Sequence, residues 1–80
     1  MRLDKYLKIA RLIKRRTVAN EACDVGKVMV NGKEAKPSKD VKPGDRITLT
    51  FGTRQITVEV LDVPEHAPKA DARLLYKEIE

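Results

Sequence analysis

Near the N-terminus, apolar residues fall at Leu3, Tyr6, Leu7, Ala10 and Ile13, the i, i+3, i+4 spacing of a helix with one buried stripe. Lys5, Lys8, Arg11 and Arg15 fall on the opposite side of that helix. Leu12 breaks the division by pointing toward the basic side, so the helix is predicted to end near it and the chain to turn through Lys14, Arg15 and Arg16. A second helical pattern follows from Val18 to Val25, with Thr17 placed to cap its free amides. Asn20 stands where Glu or Gln would complete a capping box, so that box is incomplete. Gly26 supplies the left-handed residue that commonly closes a helix.

From Lys27 the period changes to two. Val28 and Val30 share a face, and Asn31-Gly32 is a strong signal for a two-residue hairpin turn, because both residues tolerate positive φ. That register sets Met29 opposite Glu34 and Val28 opposite Ala35, and Pro37 ends the return strand. Pro43-Gly44 fits a type II turn. Ile47, Leu49 and Phe51 then alternate with Arg46, Thr48 and Thr50, and Ile56, Val58 and Val60 do the same beyond a Gly52-Thr53 turn of type II′. The implied pairs are Leu49 with Ile56, Ile47 with Val58, Thr48 with Thr57 and Arg46 with Glu59, each matched in character. The fold class is therefore α+β, two short N-terminal helices packed on a small antiparallel sheet of hairpins. The pattern weakens after Val63. Residues 1–63 are expected to form the domain and residues 64–80 a tail, in which Asp71 to Glu80 could make a short helix with Ala72, Leu75, Tyr76 and Ile79 on one face.

Charge adds what periodicity does not. The run from Arg2 to Arg16 holds seven basic residues against the single acid Asp4, a formal charge of +6 in a chain whose total is +5. The cationic excess is thus one positioned patch on the first helix and the following turn. Asp4 alone can supply the intrahelical ion pairs that usually decorate a solvated face. A phosphate backbone is the partner such a patch fits, and Arg2, Asp4, Lys5, Lys8, Arg11, Lys14, Arg15 and Arg16 are the candidate binding residues. Arginine grips phosphate in bidentate fashion, which ranks Arg2, Arg11, Arg15 and Arg16 above the lysines. Asp4 has two readings: it caps backbone amides, or it orients Arg2 or another guanidinium of the patch. Lys27, Lys33, Lys36 and Lys39 could widen the patch, yet acids are interspersed among them.

Other chemistry is sparse. Eighty residues allow one domain with a small core. Cys23, the one cysteine, excludes an internal disulfide and reads as a buried helix residue. His66 lies in a Pro-flanked loop without a nucleophile near it in sequence, and the four glycines are isolated turn residues rather than a phosphate-binding loop. Neither an enzyme nor a bound metal or cofactor is expected. No apolar run suits a signal peptide or a membrane span, so the expected location is the cytoplasm. Tyr6 and Phe51 both fall on core faces, so stacking on nucleobases is expected to matter little.

The Arg-Leu-Asp start, the basic turn, Gly26-Lys27-Val28-Met29-Val30-Asn31-Gly32 and the later Val41, Gly44 and Asp45 resemble, in order, the motifs of the S4 RNA-binding domain. The likeness covers about residues 1 to 50, with Thr17 where many relatives have Ser. It implies the S4-type (αL) RNA-binding fold, with the helix pair as the RNA-facing surface. Within the family the chain is similar to the small stand-alone members that act in ribosome-associated quality control. That implies contacts with 23S rRNA and tRNA on large ribosomal subunits still carrying peptidyl-tRNA. It also implies help to an RqcH-type partner in alanine tailing of the stalled chain, by a protein that is a monomer off the ribosome. A factor like heat-shock protein 15, recycling free large subunits, is the runner-up, followed by a basic module that grips an acidic protein.

Overall fold

A computed structural model describes residues 1–64 and 74–79 of the chain. Two helices, α1 (Leu3–Ile9) and α2 (Arg16–Asp24), precede five strands: β1 (Val28–Val30), β2 (Lys33–Glu34), β3 (Arg46–Phe51), β4 (Arg54–Val60) and β5 (Tyr76–Ile79). The strands form one antiparallel sheet in the order β2-β1-β3-β4-β5. Its core side carries Val28, Val30, Ile47, Leu49, Val58 and Val60, all buried, against Leu3, Tyr6 and Leu7 of α1, Ala10 and Ile13 of the turn that follows it, and Ala19 and Cys23 of α2.

The hairpin registers match those read from alternation. Met29 faces Glu34, and the Ala35 amide donates to the Val28 carbonyl at 3.2 Å. Leu49 faces Ile56, Ile47 faces Val58, Thr48 faces Thr57 and Arg46 faces Glu59. Asn31 and Gly32 both have positive φ, as a type I′ turn requires. Asn31 also joins the two hairpins. Its amide donates to the Arg46 carbonyl at 2.7 Å, its side-chain oxygen accepts from the Arg46 amide at 3.0 Å, and its Nδ2 donates to Asp45 Oδ1 at 3.2 Å. With that clamp in place β1 pairs with β3, Val28 facing Leu49 and Val30 facing Ile47.

Four expectations need correction. First, α1 ends at Ile9, earlier than Leu12 suggested, so Arg11 is not on a helix face. Arg11 adopts φ 58°, its amide donates to the Lys8 carbonyl and the Leu12 amide to the Leu7 carbonyl, which together make a Schellman closure. The turn folds Leu12 back against the core, half-buried. Second, Thr17 does not cap α2. The helix begins at Arg16 after an extended Arg15, and Thr17 sits exposed in the first turn. Third, Phe51 is 48% exposed, because the end of β3 runs past the helices that cover Ile47 and Leu49. Fourth, the tail contributes a strand where a helix was expected. Tyr76 pairs with Val60 and Glu78 with Val58, so the sheet extends past residue 63. Asp71 and Ala72 of that expected helix lie outside the described residues, as does His66.

The strand is held by a bond that periodicity cannot show. The buried Tyr6 hydroxyl donates to the Leu75 carbonyl at 2.6 Å, and the Leu61 amide donates to the same oxygen at 2.8 Å. Burial raises the Tyr6 phenol well above its ordinary pKa, so it stays a donor. Tyr6→Phe is expected to cost about 1 kcal/mol, the net value of a buried hydrogen bond. Thermal unfolding would measure that cost, and hydrogen exchange should show it concentrated in the amides of β5. At the other closure, Gly26 has φ +77° and faces the Glu34 carboxylate. The exposed Glu34 side chain can swing aside, so the backbone conformation decides, and Gly26→Ala is expected to lose about 1–2 kcal/mol in chemical denaturation.

Candidate nucleic-acid interface

The site is built around a buried acid. Asp4 is 2% exposed, at the start of α1. Arg2 grips it side-on, Nε to Oδ1 at 3.2 Å and Nη2 to Oδ2 at 3.3 Å. Arg16, the first residue of α2, brings Nε to 3.4 Å from Oδ2, and Asn20 one turn later donates Nδ2 to the same oxygen at 3.4 Å. The Lys5 amide donates to Oδ1 at 2.7 Å. Both readings of Asp4 therefore hold: it accepts a first-turn amide, and it orients two guanidinium groups. Burial pushes its pKa up, but the hydrogen bonds from Arg2, the Lys5 amide, Arg16 and Asn20 outweigh this and leave it below the ordinary 3.8.

The arrangement fixes two arginines without consuming them. A guanidinium carries five N–H donors, and Asp4 engages two from Arg2 and one from Arg16. The two side chains remain 52% and 46% exposed. Their remaining donors can meet phosphate in a geometry set before binding, so little side-chain freedom is lost on contact. Holding two cations side by side normally costs repulsion, which the carboxylate between them offsets.

The rest of the patch is looser. Lys8, Arg11, Lys14 and Arg15 are exposed, and no carboxylate among the described residues lies within ion-pair distance of them. Lys8 stands in the last turn of α1, while Arg11, Lys14 and Arg15 lie in the connection between the helices. Their exposure and the shape of that turn suit a phosphate backbone followed across several nucleotides. Asn20 is a site residue that sequence reading missed. Its one signal was its place a turn after Arg16 on the same helix. Beside it, Cys23 is buried and its thiol is raised to about 11 by burial and then by the Asp4 and Asp24 carboxylates, so it offers no nucleophile at neutral pH. Among the described residues no cluster is placed to hold a metal ion, and no helix is long and apolar enough to cross a membrane.

Residues 1–47, the span that contains both helices, the Asp4 cluster and the first hairpin, match the S4 domain. The chain belongs to the S4 domain family. It is 50% identical over 95% of its length to a protein of Bacillus subtilis named RQC P-site tRNA stabilizing factor, 88% of which is covered. A protein of the same name from Helicobacter pylori is 42% identical, covering 92% of this chain and 90% of that one. Heat shock protein 15 of Escherichia coli is 43% identical over 98% of this chain, which spans 59% of that longer protein. Among solved structures, the trimeric heat shock protein 15 of Vibrio cholerae superposes with a TM-score of 0.89 at 40% identity, covering 99% of this chain and 81% of that one. The fold is thus that of S4 proteins, helices and sheet alike.

Two substitutions test the site. Arg11 holds a left-handed conformation where glycine would be unstrained. Arg11→Gly is therefore expected to raise stability by roughly 0.5–1 kcal/mol in denaturant titration while weakening RNA binding, a combination that a purely structural residue would not give. Asp4→Asn is expected to cost about 1–3 kcal/mol, since it weakens charge-assisted bonds to a buried group. The depressed carboxyl of Asp4 stabilises the fold above its ordinary pKa of 3.8, and that stabilisation disappears as pH falls through its lower folded value. The wild type should accordingly lose stability more steeply than Asp4→Asn below about pH 4 in acid unfolding followed by circular dichroism.

Proposed function

We propose that this chain is a non-enzymatic RNA-binding factor of ribosome-associated quality control. In this reading it binds large ribosomal subunits obstructed by peptidyl-tRNA, contacts 23S rRNA and the tRNA, and steadies the P-site tRNA. It thereby assists an RqcH-type partner in adding alanine tails to the stalled chain, and it works in the cytoplasm. The observation that carries the proposal is the Asp4-held pair Arg2 and Arg16, set at the starts of the two helices of an S4 domain. It stands in a chain similar over nearly its full length to relatives named as P-site tRNA stabilizing factors.

The arrangement suits such a role. A rigid pair of helices reads phosphate spacing and A-form shape, because side chains do not enter the deep, narrow RNA major groove to read sequence. Steadying a tRNA requires positioned contacts rather than bond chemistry, and the buried, protonated Cys23 and the hydrogen-bonded Asp4 supply no poised acid, base or nucleophile. The similarity to heat shock protein 15 favours a second reading, recycling of free large subunits without a part in tailing.

Pull-down of the tagged protein from stalled extract, with sequencing of the bound RNA and identification of co-purifying proteins, tests the proposal. Large-subunit rRNA with tRNA and little small-subunit rRNA is the expected result. Equal amounts of both subunits, or no RNA, would refute the mechanism. Dependence of alanine tailing on the protein separates the two readings. Arg2→Ala and Arg16→Ala are each expected to weaken RNA binding and to lower the slope of log affinity against log salt by about one unit. Because both arginines touch Asp4, each also bears on the fold. A loss of about 0.5–1 kcal/mol in melting experiments is expected, kept small by their half-exposure.

A further inference from the structure

Beside the basic turn lies an apolar groove of about 550 Å³. Leu12, Ile13, Val18, Ala22 and Phe51 line it with apolar surface, and the exposed Lys14 and Lys27 add two cations to the lining. Val18 and Phe51 are each 48% exposed, and Arg54, the cross-strand partner of Phe51, adds a third cation beside it. No carboxylate lines the groove among the described residues. Among the described residues Phe51 is also the one exposed aromatic side chain, since Tyr6 is buried and Tyr76 half-buried.

We propose that this groove takes an unpaired nucleobase of the RNA held by the basic helix pair, the base stacking on Phe51 and its flanking phosphates meeting Lys14 and Lys27. The inference rests on the RNA-binding reading above and adds a second kind of contact to it. A flat apolar ligand bearing negative charge complements an apolar lining that includes two lysines and no carboxylate, and an unpaired nucleotide has that form. Lys14 belongs to both the groove and the basic patch, so an RNA lying along the patch is already at the groove's edge. Stacking tolerates any base, so the groove selects unpaired RNA over duplex rather than one sequence over another.

The test compares an RNA hairpin bearing a long oligoadenosine loop with a blunt duplex of the same stem, each titrated against the full chain. A fluorescent adenine analogue in the loop reports stacking by its quenching. Wild-type protein should prefer the hairpin and quench the analogue. Phe51→Ala should lower hairpin affinity by about tenfold, abolish quenching and leave duplex affinity unchanged, while Phe51→Trp retains both. The ring's exposure predicts that both variants fold, and thermal melting checks it. Equal hairpin affinity for Phe51→Ala and wild type would overturn the proposal, as would an equal loss on hairpin and duplex. Release of a co-purifying protein by Phe51→Ala with RNA binding intact would also overturn it, in favour of a protein occupant. Arg16→Ala distinguishes the two levels: weakened binding of both RNAs, with Phe51→Ala silent, sinks the groove alone, whereas no RNA binding by wild type sinks the RNA-binding reading with it.

Discussion

The carboxylate of Asp4 is the constraint on which the rest of the surface depends. A buried charge is tolerated only when its oxygens are fully engaged, and here four groups from two helices and the preceding strand-like segment engage them. The same bonds tie α2 to α1 and set where Arg2 and Arg16 point. Stability and binding geometry are therefore not separable at this position. Packing beneath it anchors both segments: Leu3, Tyr6 and Leu7 are wholly buried directly after Arg2, and Ala19 and Cys23 bury the face of α2 that follows Arg16.

Both helices close by the same hydrogen-bond pattern, with different residues at the left-handed position. After α2 it is Gly26, with Gly26 N–H to the Cys23 carbonyl and Lys27 N–H to the Ala22 carbonyl. After α1 it is Arg11, with the corresponding bonds to Lys8 and Leu7. Glycine would satisfy either turn without strain. An arginine there places a cation at the negative end of the helix dipole and projects it from the connection that bears Lys14 and Arg15. The left-handed Arg11 thus carries backbone strain that a glycine at the same turn would not.

The sheet serves as a platform whose edges are joined by single side chains. Asn31 closes its own turn and clamps the Asp45-Arg46 backbone, which turns two local hairpins into one sheet. Tyr6 reaches from the helical layer to Leu75 and brings the C-terminal strand onto the open edge of β4. The Met1 ammonium pairs with Asp40 at 2.8 Å, and the Leu3 and Asp4 amides donate to Lys39 and Pro37, so the loop before β3 supplies the start of α1 with partners that a side-chain cap would otherwise provide.

The sequence by itself determined much of what short-range periodicity and turn chemistry govern. The buried stripe of α1, the registers of both hairpins, the turns at Asn31-Gly32 and Pro43-Gly44, and the location of the cationic patch all follow from residues within a few positions of one another. Tertiary structure alone decided what depends on contacts across the chain. Thr17 had the chemistry of a cap, yet the ion pair of Arg16 with Asp4 accompanies a helix that starts before it. Phe51 alternated correctly and still emerged into solvent, because alternation gives a face of the strand and not the extent of the layer that covers it. Residues 76–79 had helical spacing, but an open strand edge and the Tyr6 hydroxyl outweighed that local preference. Whether Asp4 served the helix or the arginines could be settled only by bringing Arg16 and Asn20 to it, because nothing in the chain's linear order says which distant donors a carboxylate will meet.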